Sequence, residues 1–412
     1  MGAHLRQHPT DRGPANGDLH GSRTDNQPSG CRRVRDVRPE AARRRFFGCR
    51  RADDGSRESG QVDRRVVAGC WLLGAGGWGW LMGETMKICL AGTGAMGEIH
   101  VKALQKIAGV DIVAVASRTE ESGNKFAEQW KIPFHSTDLQ RCIDRPGVEA
   151  VILTTPSDQH ADQTVMALAK GKHVQVEIPM SLNLRDAERI VDAAKRSGRI
   201  CMVTHTRRFS SPHREIRKRI REGTFHLHHM VVETYFFRRT NLNMHGQPRS
   251  WVDSLLWHHG CHSIDLAYWI LDEANFEVWG QQGPEHPSLG IPMDLTVAMK
   301  SRKGPLFSMA MSFNNKGPFG GFYRYIGEEE TYKVYRDAMT DSEGKDVPLD
   351  GTPAFDRQDV EFASAIREGR EPESSAQSCL PTMALLDRID RVMQEGRVGQ
   401  TGQARRVSQV VM

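Results

Sequence analysis

The chain of 412 residues is long enough for two or three domains, and its 38% apolar and 26% charged residues are an ordinary globular balance. The net charge of +5 sits wholly in residues 1–85, which hold 15 Arg, no Lys and 10 acidic residues. The remainder is neutral, which removes a global electrostatic case for nucleic acid or another polyanionic partner. The longest apolar run, Ala68 to Met82, is Gly-rich and too short for a membrane span, and the eight cysteines form no C-x-x-C pair. That usage fits a reduced, cytoplasmic protein without structural zinc or a disulfide framework.

Residues 1–64 lack an apolar period and are dense in Arg, Gly, Asp and Ser, so they cannot bury enough surface to offset their ordering entropy. Arg64-Arg65 before an apolar stretch resembles a twin-arginine signal, but residues 1–63 precede it and no small-x-small cleavage site follows. Val67-Ala68-Gly69-Cys70 resembles a lipobox whose apolar region lies on the wrong side of the cysteine. The reading is a disordered leader over 1–85 from a start codon assigned too far upstream. A dinucleotide-binding domain is expected over 86–207, a substrate and dimerisation domain over 208–395, and a tail over 396–412.

From Met86 the pattern changes. Met86 to Ala91 reads as a buried strand, Gly92-Thr93-Gly94-Ala95-Met96-Gly97 follows, and Met96, Ile99, Ala103, Leu104 and Ile107 recur at helical spacing. Strand, glycines and helix in that order are the context a G-x-G-x-x-G motif requires. Gly92 makes the turn, Gly94 lets backbone approach the pyrophosphate with Ala95 and Met96 at the helix start, and Gly97 allows close packing. Asp111 to Ala116 reads as the second strand. It ends in Ser117-Arg118, where an NAD site wants a carboxylate for the ribose hydroxyls; Arg118 would instead pair with a 2′-phosphate, which favours NADP. Strands at Ala150–Thr154, His173–Glu177 and Ile200–Val203 alternate with helices at Ser157–Lys170 and Leu184–Ser197. The expected fold class is α/β, an N-terminal Rossmann, doubly wound parallel sheet. Strand-like runs at 227–237, 276–281, 294–300, 306–312, 322–327 and 331–335 predict a C-terminal α+β domain with a mixed sheet.

Thr154-Thr155-Pro156-Ser157-Asp158-Gln159-His160 resembles the nicotinamide-side loop of the glucose-fructose oxidoreductase/inositol dehydrogenase superfamily. Glu177-Ile178-Pro179 stands where that superfamily usually has Glu-Lys-Pro. Leu256 to Asp265 resembles its active-site helix, and Glu361 to Pro372 its C-terminal helix signature. The resemblance spans Met86 to about Met393. It implies cofactor contacts at Thr155, Pro156, His160, Glu177 and Ile178, and an open, largely antiparallel second sheet that pairs subunits into a homodimer. Val174 to Pro179, His205 to Phe209, Thr234 to Arg239, Gly246 to Trp251 and Phe313-Asn314-Asn315 further resemble the 4-carboxy-2-hydroxymuconate-6-semialdehyde dehydrogenases of protocatechuate 4,5-cleavage. That narrower likeness implies a substrate with two carboxylates and a semialdehyde, oxidised as its cyclic hemiacetal to 2-pyrone-4,6-dicarboxylate.

Two departures from the broad superfamily matter: its usual Lys is Ile178 and its usual Asp is His258. Their proton-transfer roles therefore do not carry over. His262, at the superfamily's His position, is assigned as the base, with His258, four residues earlier, in support and an ionisation near the ordinary value of about 6.5. Planar carboxylates call for Arg, and Arg207, Arg208, Arg238, Arg239 and Arg249 are the candidates, at least two of them as ligands. No metal is expected, since His258 and His262 find no third ligand beyond Asp265. Cys261 reads as a small buried residue. A sugar or polyol dehydrogenase and a non-catalytic cofactor-binding regulator are the alternatives; the Arg and His set argues against both.

Overall fold

A computed structural model describes residues 85–242, 246, 248–249 and 251–410, with side chains to 396. The leader expected over 1–85 lies outside these residues save for Thr85. Chain order is β1 (Met86–Ala91), α1 (Ala95–Leu104), β2 (Val110–Ala116), α2 (Glu120–Trp130), β3 (His135–Ser136), α3 (Leu139–Ile143), β4 (Val148–Leu153), α4 (His160–Ala169), β5 (His173–Val176), α5 (Leu184–Ser197) and β6 (Cys201–Val203). These strands form one parallel sheet in the order β3-β2-β1-β4-β5-β6, the doubly wound arrangement. β1 and β4 are apolar and buried on both faces, as helix-covered parallel strands must be. Their order reverses between β1 and β4, which opens a crevice beyond their carboxyl ends.

The second half runs α6 (Ser211–Arg221), β7 (Leu227–Tyr235), α7 (Cys261–Leu271), β8 (Phe276–Gln282), β9 (Asp294–Ser301), β10 (Leu306–Ser312), β11 (Gly320–Gly327), β12 (Thr331–Tyr335), β13 (Ala338–Thr340), α8 (Ala354–Glu368) and α9 (Ala376–Val410). Its strands form a seven-stranded sheet in the order β13-β12-β11-β7-β10-β9-β8, antiparallel except where β7 pairs with β10. Burial alternates residue by residue along β9 and β10, so one face meets the helices and the other is open. The two short strands β3 and β13 are additions to the sequence reading. Helix α9 passes through position 396, where a tail was expected, and packs on α5, α7 and β8. Helix α8 returns to α1, so Phe362 and Ala363 join Ile88, Leu90 and Ile152 in one core. Among the described residues no helix is long and apolar enough to cross a membrane.

Candidate active site

At the end of β1 the chain turns at Gly92 with φ +110°. A Cβ there would lie 2.4 Å from Thr154 Oγ1 and 2.6 Å from its carbonyl oxygen, so only glycine fits. At Gly97 a Cβ would come 2.4 Å from the Gly92 carbonyl, so this glycine lets α1 close on the turn. Gly94 differs: it has ordinary φ, and a Cβ would meet nothing within 4 Å. It is the N-cap of α1 and supplies no side-chain cap, so the backbone N–H groups of the first turn, including Ala95 and Met96, face open space. The cradle fits a dinucleotide pyrophosphate. Ser117 is buried and donates its hydroxyl to the Thr119 carbonyl at 2.8 Å. Arg118, just past β2, is exposed and has no ion pair among the described residues.

Beyond β4, Thr155 donates its hydroxyl to Gln163, and Pro156 leads into the turn that starts α4. His160 is buried, with its two ring nitrogens 2.8 Å from the carbonyls of Thr155 and Pro179. It ties this loop to the cis Ile178–Pro179 segment, and its ring does not line open space. Glu177, also buried, accepts from His100 at 2.9 Å, and the other nitrogen of His100 lies 2.9 Å from Asp359 of α8. Burial disfavours charge on His100, but Asp359 and Glu177 outweigh it and raise its pKa to about 10. An imidazolium between two carboxylates thus underlies the loop. His100 and Asp359 are 259 residues apart, and no local pattern joins them.

The active-site helix does not begin as a regular α-helix. Leu255–Gly260 forms a π-helical turn, and α7 starts only at Cys261. The wider turn breaks the i, i+4 stacking expected of His258 and His262. His258 Nδ1 accepts from the Ser254 backbone N–H at 2.9 Å, which leaves Nε2–H to donate to Ser157 Oγ at 2.7 Å. Its ring also stacks on Trp251, with centroids 5.1 Å apart. Both nitrogens are therefore engaged, and burial pushes the pKa down to about 4. His262 contrasts with it: neither nitrogen has a hydrogen-bond partner among the described residues. Burial first, then the charge of Arg207, holds its pKa well below the ordinary value of 6.5 expected from sequence. His262 is thus a neutral imidazole at pH 7 with a free lone pair.

The five candidate arginines separate. Arg238 and Arg249 converge on Asp253, a carboxylate 3% exposed, each at 2.5 Å, and His259 Nε2 joins at 3.1 Å. Burial opposes ionisation of Asp253, but His259, Arg238 and Arg249 outweigh it and hold its pKa well below the carboxylate range. Arg238 lies over Phe313, and Arg249 over Trp251. Arg207 is half-buried beside His262, its guanidinium 5.8 Å from the Tyr323 ring, with no carboxylate partner among the described residues. Arg239 is exposed at the rim and donates to the carbonyl of Arg238. Arg208 is in the core instead: 1% exposed, it grips Asp265 bidentately at 2.6 and 2.8 Å and donates to the Glu373 carbonyl. Its charge is fully taken up there, which corrects its assignment to substrate. Cys261 is buried, as read, and burial pushes its thiol pKa up. His205, Asp265 and Cys379 approach within 4.8 Å of one another, but Arg208 already occupies Asp265.

Sequence reasoning missed Asp253 and His259. Asp253 is the lone carboxylate between Glu233 and Asp265, four residues after Arg249, and that isolation among arginines was a usable signal.

A glycine cradle at a Rossmann switch point, beside a neutral histidine and an arginine fan, defines a nucleotide-dependent oxidoreductase. Residues 86–205 match the oxidoreductase family with an NAD-binding Rossmann fold, and 211–352 match the C-terminal domain of bacterial oxidoreductases. A 4-carboxy-2-hydroxymuconate-6-semialdehyde dehydrogenase from Sphingobium sp. is 43% identical over 315 residues, 74% of this chain and 98% of the relative. The chain belongs to the Gfo/Idh/MocA oxidoreductase family. A scyllo-inositol 2-dehydrogenase (NAD(+)) from Bacillus subtilis is 29% identical over 34% of this chain and 42% of its own length. The fold is that of an oxidoreductase from Agrobacterium radiobacter in complex with NAD+, L-tartaric acid and magnesium, with TM-score 0.66 at 17% identity over 76% of this chain and 97% of that one.

Proposed function

We propose that this protein is an NADP-dependent dehydrogenase that oxidises the cyclic hemiacetal of 4-carboxy-2-hydroxymuconate-6-semialdehyde to 2-pyrone-4,6-dicarboxylate. The observation that carries the reading is an arginine fan beside a lone-pair histidine, in a chain 43% identical to a dehydrogenase of that name. Gly92, Gly94, Ala95, Met96 and Gly97 hold the pyrophosphate, Ser117 and Arg118 the 2′-phosphate end, and Thr155, Pro156, Glu177 and Ile178 border the nicotinamide, with His160 bracing their loops. The bound nicotinamide supplies the hydride acceptor. His262 takes the hemiacetal hydroxyl proton, for which its depressed pKa keeps it free at pH 7. Arg207, Arg238 and Arg249 hold the two carboxylates, with Arg239 at the rim. His258, fixed between Ser254 and Ser157, couples the helix to the cofactor loop.

Residues 86–207 serve as the cofactor domain and 208–395 as the substrate and dimerisation domain. The open face of the second sheet exposes Trp279, Leu306 and Tyr335, and this apolar surface supports a homodimer. Five free, buried thiols among the described residues fit a reducing cytoplasm. The test is NADP reduction by the acidic semialdehyde, with inositols and aldoses as controls. Turnover of the neutral polyols in preference would replace this reading with a polyol dehydrogenase, which the likeness to inositol dehydrogenases favours.

A further inference from the structure

A second cavity, about 500 Å³, opens on the helical side of the second domain, away from the cofactor cradle. Its walls are Arg214, Arg217 and Arg221 of α6, Tyr268 and Trp269 of α7, and Glu373. The three arginines are spaced i, i+3 and i+7, so they lie along one face of α6. Two of the lining charges are cancelled inside the protein: Arg208, at the floor, by Asp265, and Arg214 by Glu373 at 2.7 Å.

Arg217 and Arg221 are not cancelled. Arg217 donates Nε to the Trp269 carbonyl at 2.9 Å and lies over the Trp269 ring at 4.1 Å, but its two terminal nitrogens have no partner among the described residues. Arg221, one turn on, has no ion pair among them either. Burial and then Arg221 lower the pKa of Arg217 to about 10, against the opposing pull of Glu373 and Asp272. Asp272 is the one lining carboxylate not already committed to an arginine, and Lys303 donates to its carbonyl. Two unpaired guanidinium groups against one carboxylate leave the cavity cationic.

A guanidinium fixed by stacking, with its terminal nitrogens open to a cavity of ligand size, matches a small oxyanion bound bidentately. We propose that this cavity is a binding site for a small oxyanion, a carboxylate or phosphate, held by Arg217 and Arg221 against Trp269. It is separate from the carboxylate-binding cleft of the proposed reaction and does not depend on that reading.

Isothermal titration with benzoate, succinate and inorganic phosphate, at ionic strength matched with chloride, tests it. Three proteins are compared: wild type, the cleft variant Arg207→Gln/Arg238→Gln, and the α6 variant, in which Arg217→Gln/Arg221→Gln is added to the cleft variant. Saturable binding should persist in the cleft variant and weaken at least about tenfold in the α6 variant, as loss of a charge-assisted contact implies. The strongest of the three anions distinguishes carboxylate from phosphate. If the α6 variant does not fold, Arg221→Gln alone added to the cleft variant, at an exposed position, should still weaken binding severalfold. Equal affinity in the cleft and α6 variants, loss of all binding in the cleft variant, or no binding beyond the chloride control overturns the proposal.

Discussion

His262 should act as a base whose ionisation lies outside the physiological range. Burial and Arg207 both disfavour its protonated form, so it is neutral throughout the range where an ordinary histidine titrates. Wild-type kcat/KM should therefore be flat from about pH 6 to 8 and fall only at more acid pH. Replacing Arg207 with Gln removes the second-largest cause of the shift. The acid limb should therefore move to higher pH in that variant, while KM for the anionic substrate rises. His262→Asn should lower turnover by about two to four powers of ten, leave NADP affinity nearly unchanged, and abolish the limb in both backgrounds. The assay is initial-rate NADPH formation in overlapping buffers from pH 4.5 to 9. A wild-type break near 6.5, or a limb that does not move in Arg207→Gln, refutes the electrostatic argument. Near-normal turnover in His262→Asn refutes the base itself.

Arg118→Ala should raise KM for NADP about ten- to a hundredfold and leave that for NAD nearly unchanged, because only the 2′-phosphate loses a contact; an equal effect on both would show that Arg118 is not the selector. Asp253→Asn should lower Tm and raise substrate KM at least about tenfold, with a smaller fall in kcat, since two guanidinium groups lose the carboxylate that aims them; unchanged KM would mean that these arginines do not touch substrate. His100→Asn should destabilise the protein at pH 7 by about 3–5 kcal/mol, as Glu177 and Asp359 are left facing each other. The folded-state pKa of His100 is raised, so its contribution is complete below about 6.5 and lost as pH rises towards about 10. Urea titrations should show the gap between wild type and variant shrinking by about 1.4 kcal/mol per pH unit across that window, and a constant gap would count against the charged triad.

The cofactor half was legible because its signals are local. A turn needing Gly92 and Gly97, and strands buried on both faces, leave marks within a dozen residues. The strands of the second sheet were legible from alternation in the same way. The candidate site was less so, since its chemistry depends on partners far apart in sequence. Arg207 and Arg208 are neighbours of one type, yet Asp265, 57 residues from Arg208, takes that one into the core and leaves the other beside His262. His258 and His262 carry α-helical spacing, but the π-turn through Gly260 and the hydroxyl of Ser157, 101 residues from His258, give them different roles.

The single carboxylate shared by Arg238, Arg249 and His259 also bears on how this site can change over evolutionary time. Each of the three groups is aimed partly by its competition with the other two for Asp253, so altering one reorients the rest. Substitutions there should be strongly non-additive, with the second costing far less than the first. The reverse holds for gaining a new substrate: no single replacement reshapes the fan cleanly. A lineage drifting towards a neutral substrate would be expected to lose Asp253 and its arginines close together, as one inherited block.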